Sequence, residues 1–144
     1  MQTIRDVMTA DVQTISPQDT IQRAAQLMDE LNVGAIPVCD ANKLVGMITD
    51  RDITVRSTAV GQSPSETPVE DVMSTDVRTC FSNQTVDDVL ATMGDVQIRR
   101  VPVIDQDSGQ LVGIVSLGDI ATKSGGDTDG VLDEISSPSE PDRA

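Results

Sequence analysis

The chain has 144 residues, 24 of them acidic and 10 basic, which gives a formal net charge of −14 at pH 7. It is long enough for one compact module and too short for two independent domains of ordinary size. The charge repels a polyphosphate backbone, and a single Phe with no Trp or Tyr offers bases nothing to stack on, so we expect no nucleic-acid partner. The absence of His excludes Ser-His and Cys-His nucleophile pairs and His-ligated zinc.

Membrane proteins and redox motifs are also disfavoured. No apolar run approaches the roughly 18 residues of a spanning helix, and the first residues lack the basic and apolar segments of a signal peptide. We therefore expect a cytoplasmic protein with no membrane partner. Cys39 and Cys80 form no CxxC pair, so we predict that both thiols simply fill core space.

The first elements predicted along the chain are a strand over 12–15, a helix and two paired strands. Apolar residues from Ile21 to Leu31 follow the spacing of an amphipathic helix behind the candidate caps Asp19 and Thr20. The runs "AIPVC" and "LVGMIT" flank the turn "DANK" and predict paired strands. A second helix is predicted near 50–60, and the Ser- and Pro-rich stretch that follows reads as a linker.

The same elements return 65 to 67 residues later. "VMTADVQT" from Val7 aligns with "VMSTDVRT" from Val72, and "AIPVCD" lies over "RVPVID". Two extra residues in the turn "DQDSGQ" shift the register, so that "GMITDRDI" lies over "GIVSLGDI". The unit strand, helix, strand, strand, helix therefore occurs twice in an α/β fold, with opening strands predicted over 12–15 and 77–81. We divide the chain into a first repeat (1–58), a linker (59–69), a second repeat (70–123) and a disordered acidic tail (124–144).

Each repeated "G-h-h-[TS]-x-x-D-I" segment contains an Asp three residues after its Thr or Ser, and this Asp could have two roles. Thr49 with Asp52, and Ser116 with Asp119, match the capping pattern of a helix start, where an acid also favours the helix dipole. A carboxylate that accepts two hydroxyl bonds is also a usual way to hold a ribose. A capping box prefers Glu or Gln at its third position, whereas both copies use Asp. The two roles do not exclude each other.

The duplicated "VMT" and "VMS" openings, the "IPV" and "VPV" strands and the two "G-h-h-[TS]-x-x-D-I" segments resemble the tandem CBS domain pair, or Bateman module, over about residues 3–123. The chain looks like the stand-alone bacterial type. The resemblance implies two CBS repeats packed with pseudo-twofold symmetry, with clefts between them. It also implies AMP, ADP, ATP or S-adenosylmethionine as ligands.

The resemblance assigns roles residue by residue. Asp52 and Asp119 would accept hydrogen bonds from ribose hydroxyls, with Thr49 and Ser116 beside the sugar or phosphate. The residues that would flank the base are Thr14, Ile15, Ala35, Ile36 and Pro37 and, in the second copy, Thr79, Cys80, Arg100, Val101 and Pro102.

Basic residues near these motifs are candidate phosphate partners, because the planar fork of Arg suits phosphate. They are Arg51, Arg56, Arg99, Arg100 and Lys123. For each one the alternative is a surface pair with the more numerous acids. The copies differ here, since Arg51 lies opposite Gly118, so we expect unequal sites.

We therefore predict a regulatory module that senses an adenosine-containing ligand and signals to an unidentified protein. The alternative is a dimeric adaptor that binds no ligand. Neither GxGxxG nor a P-loop occurs, so we expect no catalytic residue, metal, resident cofactor or enzyme activity. Apolar helix positions such as Ile53, Val55 and Ile120, which one module would not cover, predict a homodimer, as does the family resemblance.

Overall fold

The computed structural model describes residues 2–96 and 100–116. Arg99, Asp119, Ile120, Lys123 and the predicted tail lie outside these residues. In the described ranges, no helix has the length and apolarity needed to cross a membrane. The described chain divides into two compact units, which we call the first-repeat unit (Gln13–Val77) and the second-repeat unit (2–12, 78–96 and 100–116).

The described elements are α1 (Ile4–Val7), α2 (Ile21–Leu31), β1 (Ala35–Asp40), β2 (Lys43–Thr49), α3 (Asp50–Asp52), β3 (Cys80–Phe81), α4 (Val86–Val96), β4 (Arg100–Ile104) and β5 (Leu111–Ser116). A π turn (Ile53–Ser57) and a 3₁₀ turn (Thr58–Val60) continue α3, and a further 3₁₀ turn forms at Val69–Asp71. In each copy the predicted helix and the two strands after it occur in the predicted order, whereas α1 was not predicted and the last predicted helix lies outside the described residues.

The first-repeat unit packs α2 against the antiparallel pair β1 and β2. Thr20 caps α2 by accepting a hydrogen bond from the Arg23 amide at 3.1 Å, as its sequence position predicts. The helix ends at Asn32, whose φ of 56° is the left-handed conformation common at helix ends. Its buried face joins the inner side chains of both strands in one hydrophobic core.

The second-repeat unit has the same plan in a three-stranded sheet. β3 pairs in parallel with β4, and β4 pairs antiparallel with β5. Val101, Val103 and Val115 face α4 in a core that also contains the Cys80 side chain. The predicted pairing of "RVPVI" with "LVGIVS" is therefore confirmed, as is that of "AIPVC" with "LVGMIT".

The predicted opening strands are shorter than expected. Of the predicted strand at 12–15, only Ile15 pairs, in an isolated parallel bridge with Val38. Of the predicted strand at 77–81, only Cys80 and Phe81 pair. Ile15 and Cys80 are buried, whereas the polar residues before them are exposed and have no apolar contact to hold them in the sheet.

The segment that opens each repeat packs on the strands of the other repeat. Residues 2–12, the N-terminal arm, pair with β5: Thr9 and Ile114 exchange backbone hydrogen bonds of 2.8 and 3.0 Å. Residues 69–77, the inter-repeat arm, pair with β2: Ser74 and Met47 exchange bonds of 2.8 and 2.9 Å. Each compact unit therefore contains the opening segment of the other sequence repeat.

A glycine in each strand allows this close approach. A Cβ at Gly46 would lie 2.7 Å from the Ser74 carbonyl oxygen and 2.8 Å from the Met73 sulfur. A Cβ at Gly113 would lie 2.7 Å from the Met8 sulfur and 2.8 Å from the carbonyl oxygen of residue 9. The repeated glycine is thus explained by the arm that lies against it.

Candidate functional site

The strand register brings the residues predicted around a ligand together within each unit. Across β1 and β2, Ala35 lies opposite Thr49, and across β4 and β5, Arg100 lies opposite Ser116. Ile15 joins the first group because its amide donates to the Pro37 carbonyl at 3.1 Å. Each unit therefore collects its own set of candidates at the end of its last strand.

Thr49 and Asp52 form a complete capping box at the start of α3. The Asp52 amide donates to the Thr49 hydroxyl at 3.0 Å, and the Thr49 amide donates to Asp52 Oδ2 at 3.1 Å. Both bonds satisfy amides that the first helical turn would otherwise leave unpaired. The capping role weighed from the sequence is therefore present in the structure.

Asp52 has further partners beyond the cap. Its side chain is only 12% exposed, and Arg56, one helical turn later, places Nε 3.8 Å from Oδ1. The Ser74 hydroxyl donates to Oδ1 at 3.3 Å and to Oδ2 at 3.4 Å. The carboxylate is thus held by two segments of the first-repeat unit, its own helix and the inter-repeat arm.

Arg56 also fixes the inter-repeat arm directly. Its Nη1 donates to the carbonyl oxygens of Val72 at 3.4 Å and Met73 at 3.2 Å. The guanidinium of this candidate phosphate partner is therefore already bonded to protein oxygens. Arg51, the other candidate in this unit, has an exposed side chain with no hydrogen bond or ion pair among the described residues.

Arg100 presents the opposite situation in the second-repeat unit. Its Nε is shielded from solvent and has no acceptor among the described residues. A buried guanidinium nitrogen without an acceptor loses its hydration and gains nothing in return. An anionic oxygen placed there would restore the missing bond.

The remaining candidates fall into three groups. Thr14 and Thr79 are exposed, whereas Pro37 and Pro102 are buried in the strands. The side chains of four candidates belong to the hydrophobic cores and leave only their backbone for a ligand: Ile15, Ile36, Val101 and Cys80.

Both thiols are buried and free, as predicted. Burial raises the pKa of Cys80 to about 11 and also raises the pKa of Cys39. Neither is therefore primed for nucleophilic chemistry near pH 7. Within the described ranges, no group of three or more Cys, Asp or Glu could hold a metal ion.

Ser74 is the functional candidate that sequence reasoning missed. The signal was the hydroxyl that follows "VM" in both copies, Thr9 in the first and Ser74 in the second. That motif helped identify the repeat, but its hydroxyl was not connected to Asp52, which lies 22 residues earlier in the chain.

Comparison with known proteins places these features in a family. The CBS domain model matches twice, over residues 4–57 and 69–126. The CBS domain-containing protein YhcV of Bacillus subtilis (strain 168) is 50% identical over 121 residues, which cover 84% of each chain.

Two solved structures have the same fold. The crystal structure of Hypoxic Response Protein I with two coordinated zinc ions has a TM-score of 0.76 at 38% identity, covering 84% of this chain and 98% of that one. The crystal structure of CBSX2 in complex with AMP has a TM-score of 0.73 at 25% identity, covering 86% of this chain and 96% of that one. With both repeats matched and the strand plan shared, the chain belongs to the CBS domain family and carries two copies of the domain.

Proposed function

We propose that this protein is a regulatory module that binds an adenosine-containing ligand, AMP, ADP, ATP or S-adenosylmethionine, and has no catalytic activity. The observation that carries the proposal is the buried Arg100 Nε, which has no acceptor in the described part of the chain and lies opposite Ser116 across the strand pair. Each of these ligands has an anionic group, a phosphate or the methionyl carboxylate, that would supply the acceptor. The AMP complex of CBSX2 supports the same ligand class.

The sugar would be held by the carboxylate of the repeated motif. Asp52 is oriented by the Thr49 amide, so its oxygens are fixed before a ligand arrives. Asp119 is its sequence counterpart in the second copy and remains a prediction. In the second-repeat unit the preferred phosphate partner is Arg100, whose Nε has no acceptor among the described residues, and the sugar there would be held by Asp119. In the first-repeat unit Arg56 is already bonded to the inter-repeat arm, so that unit has no equivalent phosphate partner.

The test is calorimetric titration with AMP, ATP, S-adenosylmethionine and adenosine, on the parent chain and on Arg100→Gln. Removing a charged donor from the phosphate should weaken AMP and ATP by about 10- to 150-fold. Adenosine, which has no phosphate, should bind both proteins alike. Arg78→Gln, an exposed arginine of the same unit, is the matched control. Equal losses for AMP and adenosine would contradict the role of Arg100.

One observation favours the alternative of a dimeric adaptor that binds no ligand. The Asp52 carboxylate already has Thr49, Ser74 and Arg56 as partners, so its burial needs no ligand to explain it. A thermal-shift panel separates the two functions, because a ligand at 100 times its Kd adds about 2.7 kcal/mol of stability. No shift with any adenosine compound would favour the adaptor.

We also propose a homodimer, in which the partner copy covers apolar helix positions. Val55 is 49% exposed and Leu31 is 41% exposed, whereas the predicted contact Ile53 is partly covered by its own core. Burying such side chains is a common reason for association. Sedimentation at micromolar concentration should give the mass of two chains, and a monomer would contradict the proposal.

A further inference from the structure

The Ser74 hydroxyl offers the Asp52 carboxylate the same bond that a ribose hydroxyl would offer. It is a neutral O–H donor, and it reaches both carboxylate oxygens, at 3.3 and 3.4 Å. These distances exceed the value of about 2.7 Å typical of hydroxyl donors, so the contact is weak. A better placed hydroxyl group would replace it with a gain in energy.

The Ser74 hydroxyl lies where a sugar would need to bind. Its oxygen is nearly equidistant from the two carboxylate oxygens, so it occupies the side of the carboxylate from which one ligand could reach both. A ribose clamp needs both oxygens, one for each hydroxyl, and the Thr49 amide already bonds to Oδ2. The Ser74 hydroxyl and the sugar would therefore compete for the same oxygens.

We propose that Ser74 is a built-in competitor for the sugar, a specificity and regulatory residue of the proposed adenosine site. Ligand binding at Asp52 displaces the Ser74 hydroxyl and so loosens the inter-repeat arm. This inference rests on the proposed function, because it needs a sugar to bind at Asp52. It goes beyond that function by assigning the cost of binding to one side chain.

Ser74 is well placed to pass on this displacement. It lies on the inter-repeat arm, whose backbone is paired with Met47 and whose chain enters the second-repeat unit at Arg78. Arg56 bonds the same arm at Val72 and Met73 while it contacts Asp52. A change at one carboxylate thus reaches the segment that joins the two units.

The test is Ser74→Ala titrated with AMP and with 2′,3′-dideoxyadenosine monophosphate, which lacks both sugar hydroxyls. Without the competitor, AMP should bind about two- to threefold more tightly, a value at the lower end for one hydrogen bond because the contact is long. The dideoxy compound should bind the variant and the parent alike. The melting temperature of the unliganded variant should fall, because the arm loses a contact.

The competitor role predicts that Ser74→Ala has a higher AMP affinity and a lower melting temperature than the parent. A merely structural role would lower the affinity or leave it unchanged. Ser74→Thr, which keeps the hydroxyl as Thr9 does in the first copy, should bind AMP like the parent. Ser65→Ala, an exposed serine of the same unit, should change neither affinity nor stability.

The outcomes also separate the two proposals. If AMP binds the parent and is weakened by Arg100→Gln, but Ser74→Ala leaves its affinity unchanged or lower, the competitor role is wrong and the proposed function stands. Tighter binding of both compounds to Ser74→Ala would equally overturn competition for the sugar. If no adenosine compound binds the parent, both proposals are wrong.

Discussion

The two units share a backbone plan but differ in how they treat their charged residues. In the first-repeat unit, Asp52 is buried with three partners, one of which is Arg56. In the second-repeat unit, Arg100 replaces the Ala35 of the first copy, and its buried Nε meets no acceptor within residues 2–96 and 100–116. The first copy thus surrounds its carboxylate with donors, whereas the second places a shielded guanidinium nitrogen at the corresponding end of its sheet. Duplication has preserved the framework and changed the chemistry on it.

Replacing the central carboxylate should have the largest combined effect, because it changes both ligand binding and folding stability. Asp52→Ala removes the acceptor for the Thr49 amide, which should cost about 0.5–2 kcal/mol of folding stability. If Asp52 also holds a ribose, AMP should bind about 10- to 150-fold more weakly. We expect a smaller loss for Asp119→Ala. Urea unfolding and calorimetry on the same samples measure both effects.

Thr20→Ala is the matched control for the cap. It removes the cap of α2, whose hydroxyl accepts a bond from the Arg23 amide, and should reduce stability without changing AMP affinity. If Asp52→Ala behaves in the same way, Asp52 is a cap alone and the ribose assignment is wrong.

Substituting the glycine that lies under each arm should have the second largest effect, on folding stability alone. Gly46→Ala places a Cβ against the Ser74 carbonyl and the Met73 sulfur, so the inter-repeat arm must shift, at about 1–3 kcal/mol. Gly113→Ala tests the N-terminal arm in the same way. At Gly34 the nearest atom to a Cβ would be the Oδ2 of the Asp50 side chain, at 3.2 Å, so Gly34→Ala should cost less. Equal unfolding free energies for all three variants would contradict the packing of the arms.

Arg56 should come third, because the contribution of its ion pair is small. Its side chain is 53% exposed, so solvent weakens its ion pair with Asp52. Its main contribution is therefore the pair of hydrogen bonds to the carbonyl oxygens of the inter-repeat arm, which Arg56→Gln would lose. Arg56→Gln should therefore lower stability by about 1 kcal/mol. Arg51→Gln, which loses no contact among the described residues, should be neutral in the same unfolding measurement. A larger loss from Arg51→Gln would reverse the assignment.

The buried thiols distinguish the units only at high pH. Because the folded pKa of Cys80 is raised from 9.0 to about 11, stability is complete below pH 9 and is lost as the pH rises towards 11. The loss should be about 1 kcal/mol at pH 10. Cys80→Ala should abolish this part of the pH dependence, and Cys39→Ala should remove less of it. Identical alkaline profiles for the two variants would show that the thiols have equivalent surroundings.

Much of the framework could be predicted from the sequence, because it depends on local patterns. The strand pairs and the cap at Thr20 follow from runs of apolar residues and one hydroxyl. The exchange of arms could not be predicted, because "VMT" and "VMS" are nearly interchangeable and either would fit against either glycine. Local sequence leaves that choice open, and only the path of the whole chain decides it.

The same limit applies to the candidate site. The capping box was predicted because Thr49 and Asp52 are three residues apart, and such spacings have fixed geometry. Ser74 reaches Asp52 only because the inter-repeat arm packs on β2, a long-range contact without a sequence period. The unpaired state of Arg100 Nε among the described residues depends on its burial, and the identity of the residue alone does not predict that burial.

The exchange of arms has a consequence for the order in which the protein is made. The hydrophobic core and the strand pair of the first-repeat unit are built from residues within Gln13–Val77, so this unit can fold while the second half is still being synthesised. The N-terminal arm emerges first, yet its partner Ile114 emerges about 105 residues later. At about 5–20 residues per second, that delay is roughly 5–20 s. During this delay Thr9 could pair with Met47, which occupies the same position in β2 that Ile114 occupies in β5. That alternative is closed once Ser74 has been synthesised and pairs with Met47.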